Sequence, residues 1–294
     1  MDIEYKNLFL IDGVLSDEEY HQQLDLLIEE SKIRGNYGRL THFVMNHTYG
    51  KCVFDDALSN SIEETLKNQS IIYENEQIDY DFNHKSTSNI IVSKKRSYEA
   101  SMADEYKGKK VAVLDFASSS HPGGNPWHAN AQEEALCRIS TLFPCLFKDV
   151  PLYHSKHRDL DCWGTDDLIY LPDIVIFKND NEAPRMLKER HKVDVIVSAA
   201  PHLFDTSQMI EEKEKEVLTK RIEKIFKLAQ AKGAEVLILG AFGCGAFHND
   251  PHIVAKVFKD LLNKYYFEKV EFAIFCGRDD TNYRVFESIL NSGK

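Results

Sequence analysis

Apolar residues along this chain follow two kinds of pattern, with a change near residue 86. From Ser16 onward, Tyr20, Leu24, Leu27 and Ile28 recur at helical spacing. Ser16 and Glu19 stand three apart as a capping box, and Gly35 follows as a stop. A second helix is expected over 56–68, where Leu58, Ile62 and Leu66 lie four apart. Between the two, 36–55 keeps no single period and reads as irregular. The stretch 69–87 is rich in Asn, Asp and Tyr and reads as a long connection. Residues 1–85 are therefore expected to form an N-terminal, mainly helical accessory segment.

Over 86–294 the pattern becomes short β-branched apolar runs at 90–92, 111–116, 174–177, 193–197, 236–239 and 270–275. Strong helices separate several of them. One is expected over 208–231, with Leu218, Ile222, Ile225 and Ala229 on one face and Gly233 after it. Another opens at Asp250, with Pro251 at its first position and Val254, Val257, Phe258, Leu261, Leu262 and Tyr265 following at helical spacing. Strand–helix alternation of this kind predicts an α/β sandwich around a largely buried sheet. No internal repeat or low-complexity tract interrupts it.

Composition narrows the function classes. The chain has 294 residues, 43% of them hydrophobic and 28% charged, which suits a soluble globular protein. Its 36 basic and 47 acidic residues leave a net charge of −11. That argues against direct nucleic-acid binding, which needs a basic stripe, but leaves room for a small anion held by local backbone donors. The cysteines at 52, 137, 145, 162, 244 and 276 form no C-x-x-C pair and no zinc-finger spacing. Free thiols and no metal are the expectation. No apolar run is long enough to cross a membrane, and MDIEYKNLFLIDG carries acids where a secretory leader carries basic residues. A cytoplasmic monomer without membrane contact is expected. Secretion as an effector into a host cytosol, through a folded or C-terminal signal, stays open.

Two glycine-rich turns each follow an expected strand, VAVLDFASSSHPGGN at 111–125 and VLILGAFGCGAFHN at 236–249. Such turns gather at the carboxyl ends of strands, where open α/β sheets bind ligands, and two of them suit a diphosphate-sized anion. The phosphate-binding motif G-x-x-x-x-G-K-[ST] is absent, and Gly240, Gly243 and Gly245 stand in the wrong order for a dinucleotide fingerprint. G-x-S-x-G is also absent. Cys244 has no obvious base in its flanks and reads better as a small packed residue than as a nucleophile. Six residues after the first turn come Gln132, Glu133 and Glu134. Acids in a first helical turn are ordinary. Beside an anion-holding turn, however, they suit glycosidic cleavage, where a carboxyl group protonates the leaving atom.

The stretch GGN-PWHANA-QEE resembles the GGG…QEE signature of poly(ADP-ribose) glycohydrolases in their short microbial form, built on a macrodomain. AQEEALCRISTLFPCL, DLIYLPDIVIF, VDVIVSAAPHLF, LILGAFGCGAFHNDPHIVAKVF and VEFAIF resemble that family in the same order, over about residues 88–288. The resemblance implies a three-layer α/β/α macrodomain with a mixed central sheet, binding ADP-ribose at the strand ends with no cofactor. It places Gly123 and Gly124 in a first diphosphate loop, and Gly243, Cys244, Gly245 and Ala246 in a second. Phe247 falls near the distal ribose. Glu134 falls on the catalytic acid, Glu133 on a neighbour that binds ribose hydroxyls, and Gln132 on a residue that orients the pair. Asp115, Ala117 and Asn125 complete the expected substrate-binding set.

Several positions depart from the family. Asn125 replaces the third glycine and adds a side chain where φ is restricted, although Asn tolerates left-handed backbone better than most residues. Asp115 stands where the family usually has Asn, and Arg96 where it often has Asp before Ser97. Trp127 and His128 are expected to add bulk between the loop and the Glu pair. The implied partners are ADP-ribose and either ADP-ribosylated protein or poly(ADP-ribose), and the altered loop tilts the expectation to single ADP-ribose units. A reader module that binds ADP-ribose without turnover is the alternative, and hydrolysis of another ADP-ribose derivative a third.

Overall fold

A computed structural model describes residues 13–35, 37–79, 88–148, 153–157, 160–203, 211–277 and 279–292. Seven strands form one sheet: β1 (Ser70–Ile72), β2 (Asn89–Ser93), β3 (Val111–Phe116), β4 (Leu168–Lys178), β5 (Met186–Ser198), β6 (Val236–Leu239) and β7 (Lys269–Ala273). Their order is β1-β4-β5-β3-β6-β7-β2. β4 runs antiparallel to β1 and β5, whereas β5, β3, β6, β7 and β2 are mutually parallel, so the sheet is mixed. β3 sits at its centre and alternates its side chains between two cores. Val111 and Val113 face one, Ala112 and Leu114 the other.

The second core is closed by the helices Glu211–Ala231, Pro251–Leu262 and Thr281–Asn291, through residues such as Leu218, Ile222, Phe258 and Phe286. The first is closed by the helices Gly38–Phe54, Asp56–Asn68, Ser97–Ser101, Gln132–Cys137 and Leu142–Lys148. This is the expected three-layer α/β/α arrangement. The first described helix, Asp17–Arg34, carries both bonds of the Ser16/Glu19 capping box and ends at Gly35 in left-handed backbone. Asp250 caps the Pro251–Leu262 helix by accepting from the His252 amide at 2.8 Å. No described helix is long and apolar enough to cross a membrane. The leader-like comparison rests on residues 1–12, which lie outside the described residues, as do 80–87 of the expected connection and 208–210 of the expected helix.

Three expectations change. Residues 36–55 read as irregular, yet Gly38–Phe54 is a helix. It buries two faces at once. Leu40 and Val44 pack against the first helix, while Met45, Tyr49 and Cys52 enter the main core, so no single polar face leaves a period. Within the expected connection, Ser70–Ile72 adds an antiparallel edge strand to β4. β4 and β5 also extend well beyond their apolar runs, because the first half of β5 is mostly polar and exposed. Where β5 becomes buried, Tyr170 and the Asp173 amide donate to the Asp194 carboxylate at 2.5 and 3.1 Å.

Candidate active site

The carboxyl end of β3 delivers the chain into the first glycine turn. Gly123 and Gly124 adopt left-handed backbone, with φ of 71° and 62°. Asn125 does not, so the replacement of a third glycine introduces no strain of that kind. A Cβ on Gly123 would stand 2.8 Å from the Phe143 ring, and one on Gly124 would stand 2.3 Å from Glu134 Oε1. The turn therefore closes directly onto the helix that follows it.

That helix, Gln132–Cys137, is tied back to β3 by its first side chain. Pairing of β3 with β6 stops at Val113. Beyond it, Gln132 Oε1 accepts from the Phe116 amide at 2.9 Å and Gln132 Nε2 donates to the Leu114 carbonyl at 2.9 Å, with Ser97 Oγ a further acceptor at 3.1 Å. The two acids are then locked by the turn. Glu133 accepts from the Ser118 amide at 2.7 Å and the Gly123 amide at 3.0 Å. Glu134 Oε1 accepts from the Asn125 amide at 3.1 Å, while its Oε2 makes no hydrogen bond. Amides of the first turn are thus directed at the Glu pair.

Asp115 lies behind this pair, fully buried, with neither carboxyl oxygen hydrogen-bonded. Burial, then the charge of Glu134, pushes its carboxyl well above the usual range. Glu133 is also raised, by burial and then by Asp115, against the opposing pull of the Ser118 amide. The Tyr98 hydroxyl and Cys137 thiol beside them are raised mainly by burial. Asp115 is the group that keeps its proton, because no donor stabilises its anion whereas two stabilise that of Glu133.

A stability effect follows. Above about pH 4 the unfolded chain ionises Asp115 while the folded chain holds the proton. The unfolded state then binds fewer protons, so stability falls as pH rises toward the folded value, by up to about 1.4 kcal/mol per pH unit. Asp115→Asn removes that slope. Its melting temperature relative to wild type is expected to rise from pH 5 to pH 8, as thermal unfolding across that range would show. Parallel pH profiles of the two proteins would contradict it.

The second turn is built around Gly243, whose φ is 73° and whose Cβ would stand 2.5 Å from Ala200 Cβ and Asn249 Nδ2. Asn249 pins the turn by donating through Nδ2 to the Pro201 carbonyl at 2.7 Å and the Gly243 carbonyl at 3.1 Å. Cys244 packs inward, its thiol donating to the Phe242 carbonyl at 3.6 Å and pushed up by burial, as suits a packed residue. The amides of Gly245, Ala246 and Phe247 donate to no described residue. The Phe247 ring meets His202 edge-on at 4.8 Å.

Between the two turns lies a cleft of about 360 Å³. Gln132, Glu133, Glu134, Gly243, Gly245, Ala246 and Phe247 line it, whereas Asp115, Ala117, Gly123, Gly124, Asn125 and Cys244 do not. At the far end the Arg96 guanidinium lies 3.9 Å over the Phe275 ring, with Asp180 nearby accepting from the Tyr98 amide at 3.0 Å. A second cavity of about 590 Å³ meets the cleft at Ser118, Ala200 and Phe247. Trp127 turns away from the cleft instead of adding bulk there. It packs on Phe143 at 5.1 Å and donates to Asn46 Oδ1 at 2.7 Å. Sequence reasoning missed Asn130, Asp180 and Phe275 as lining residues; Asn130 sits inside the variable spacer, Asp180 follows a strand with no motif around it, and Phe275 ends the family-like stretch VEFAIF, to which no site role was assigned. Among the described residues no group of three His, Cys, Asp or Glu is placed to hold a metal ion.

Comparison with known proteins agrees with this geometry. No curated protein matches the chain. It is similar to the poly(ADP-ribose) glycohydrolase of Deinococcus radiodurans, solved in complex with ADP-ribose, at 28% identity and a TM-score of 0.72 over 79% of this chain and 97% of that one. It is also similar to the enzyme of Thermomonospora curvata, at 27% identity and a TM-score of 0.69 over 79% and 89%. The form of that enzyme bound to the inhibitor ADP-HPD gives 28% and 0.67 over 79% and 88%. Residues 46–179, which include the first turn and the Glu pair, match the family described as microbial-type PARG, catalytic domain. Over that span the chain is similar to the microbial-type PARG catalytic domain, and its fold is similar to those two bacterial glycohydrolases.

Proposed function

We propose that the protein is an ADP-ribosyl hydrolase that cleaves the glycosidic bond at the distal ribose C1″. Its substrate is ADP-ribosylated protein or poly(ADP-ribose), with single ADP-ribose units on protein preferred. The observation that carries this reading is the state of Glu134. One oxygen is fixed by the Asn125 amide, and the other makes no bond in a residue that lines the cleft. A carboxyl group so held protonates the leaving atom as the C1″ bond breaks through an oxocarbenium-like state. Water then adds to C1″ and returns a proton to Glu134, leaving ADP-ribose and the free acceptor.

Glu133 is fixed by two amides and is assigned to ribose hydroxyls, and Gln132 holds the helix bearing both acids against β3. First-turn amides are engaged with the carboxylates, so the diphosphate falls mainly to the second turn, where Gly245 and Ala246 line the cleft and their amides donate to no described residue. This keeps phosphate charge apart from the carboxylates. Asn125 supports the preference for single units, since its exposed side chain adds bulk at the turn.

The test is a panel of substrates: arginine-, serine- and acid-linked mono-ADP-ribosylated protein, and polymer. ADP-ribose release from at least one mono-modified protein, faster than from polymer, is the expected result. Tight ADP-ribose binding without release from any substrate would establish a reader instead.

A further inference from the structure

We infer that Arg138 is a positioning residue for the proposed hydrolysis, and that the Gly38–Phe54 helix completes the clamp it forms on the loop ahead of the Glu pair. The inference rests on the hydrolase reading for its kinetic consequence, but its structural basis is separate. Arg138 follows the helix bearing the acids, and its amide donates to the Glu134 carbonyl at 3.1 Å. Its side chain then turns back, only 7% exposed. Nη1 donates to the Pro126 carbonyl at 3.0 Å and the Ala129 carbonyl at 2.6 Å, and Nη2 donates to Asn130 Oδ1 at 3.0 Å. One residue thus closes a ring from the glycine turn, through the acids, back to the loop, and orients an amide that lines the cleft. A planar fork meets three acceptors this way; an ammonium group on a flexible stem does not.

The other side of the loop is held by the Gly38–Phe54 helix. Asn46 accepts from Trp127 Nε1 at 2.7 Å, the Tyr49 and Trp127 rings lie 6.5 Å apart, and those of His42 and His128 lie 5.8 Å apart. Both halves of the clamp share an anchor. Thr48, on the same helix, donates to the Arg138 carbonyl and accepts from Lys178 Nζ at 2.7 Å, and that buried amino group also donates to the Val44 carbonyl at 3.1 Å. The helix therefore acts on the acids through loop 126–130, without lining the cleft.

Two variants test this, Arg138→Lys and the milder, half-buried Asn46→Ala. Turnover and amide hydrogen exchange are read for each, with kcat normalised to ADP-ribose-binding sites so that unfolded protein does not count. In Arg138→Lys we expect kcat to fall about tenfold with KM held within about twofold, as for a catalytic group moved by a fraction of an ångström. Asn46→Ala should shift both quantities the same way by less. In both, the segment containing the Gly123 and Asn125 amides, which hold Glu133 and Glu134, should exchange faster than in wild type. Unchanged exchange and unchanged normalised kcat in both variants would overturn the inference. If wild type itself releases no ADP-ribose, the hydrolase reading fails while exchange still decides whether the clamp exists.

Discussion

Glu134→Gln is expected to lower ADP-ribose release by about 10²–10⁴-fold, the usual contribution of a positioned general acid. The amide is nearly isosteric, and its oxygen can still accept from the Asn125 amide, so the turn should keep its shape. What it loses is the proton that the leaving atom takes as the C1″ bond breaks. ADP-ribose affinity should change little, because the product no longer contains that bond. Calorimetry with ADP-ribose beside a release assay separates the two effects. Equal release by wild type and variant would remove Glu134 from the mechanism.

Gly124→Ala should come close to the same loss by a different route. The new Cβ would lie 2.3 Å from Glu134 Oε1, 2.9 Å from its Cδ and 3.3 Å from Glu133 Oε2. The carboxyl end of Glu134 is the softest of these neighbours, so it moves before the backbone does. Displacing a reacting group by about 1 Å costs on the order of a hundredfold in rate. The left-handed φ of 62° adds strain of about 1–2 kcal/mol for any residue with a Cβ. Gly233→Ala separates strain from collision. Gly233 has a φ of 75° and nothing within 4 Å of its ideal Cβ, in the turn after the Glu211–Ala231 helix. Similar loss of melting temperature in both, with activity lost only in Gly124→Ala, is the expected outcome; comparable activity would mean that Glu134 tolerates the move.

Much of the fold was legible because its signals are local. A Ser16/Glu19 capping box, an Asp-Pro helix start and β-branched runs each act within a few residues, and each has its element in the structure. The Gly38–Phe54 helix was hidden because burial on two sides erases the polar face that marks a helix in sequence. At the site, the turns and the Glu pair stood out through their spacing. The direction of the turn's amides did not, since a glycine's φ decides whether an N–H points at a ligand or at a carboxylate. Arg138 was invisible for a related reason. Two of its three acceptors are backbone carbonyls, which any sequence supplies, and only the path of loop 126–130 gathers them.

The sheet order also bears on how the site is assembled in time. Asn89–Ser93 is made early, yet among the described residues it lies at the sheet edge and pairs only with Lys269–Ala273. Such distant partners close slowly, because loop entropy is spent before the contact forms. During synthesis the early strand waits, an apolar edge open to mispairing, until the late one emerges. The Arg96–Phe275 wall forms at the ends of these same two strands. A nascent chain therefore carries both carboxylates before Phe275 has been made, and the cleft cannot be complete until Lys269–Ala273 has emerged and paired.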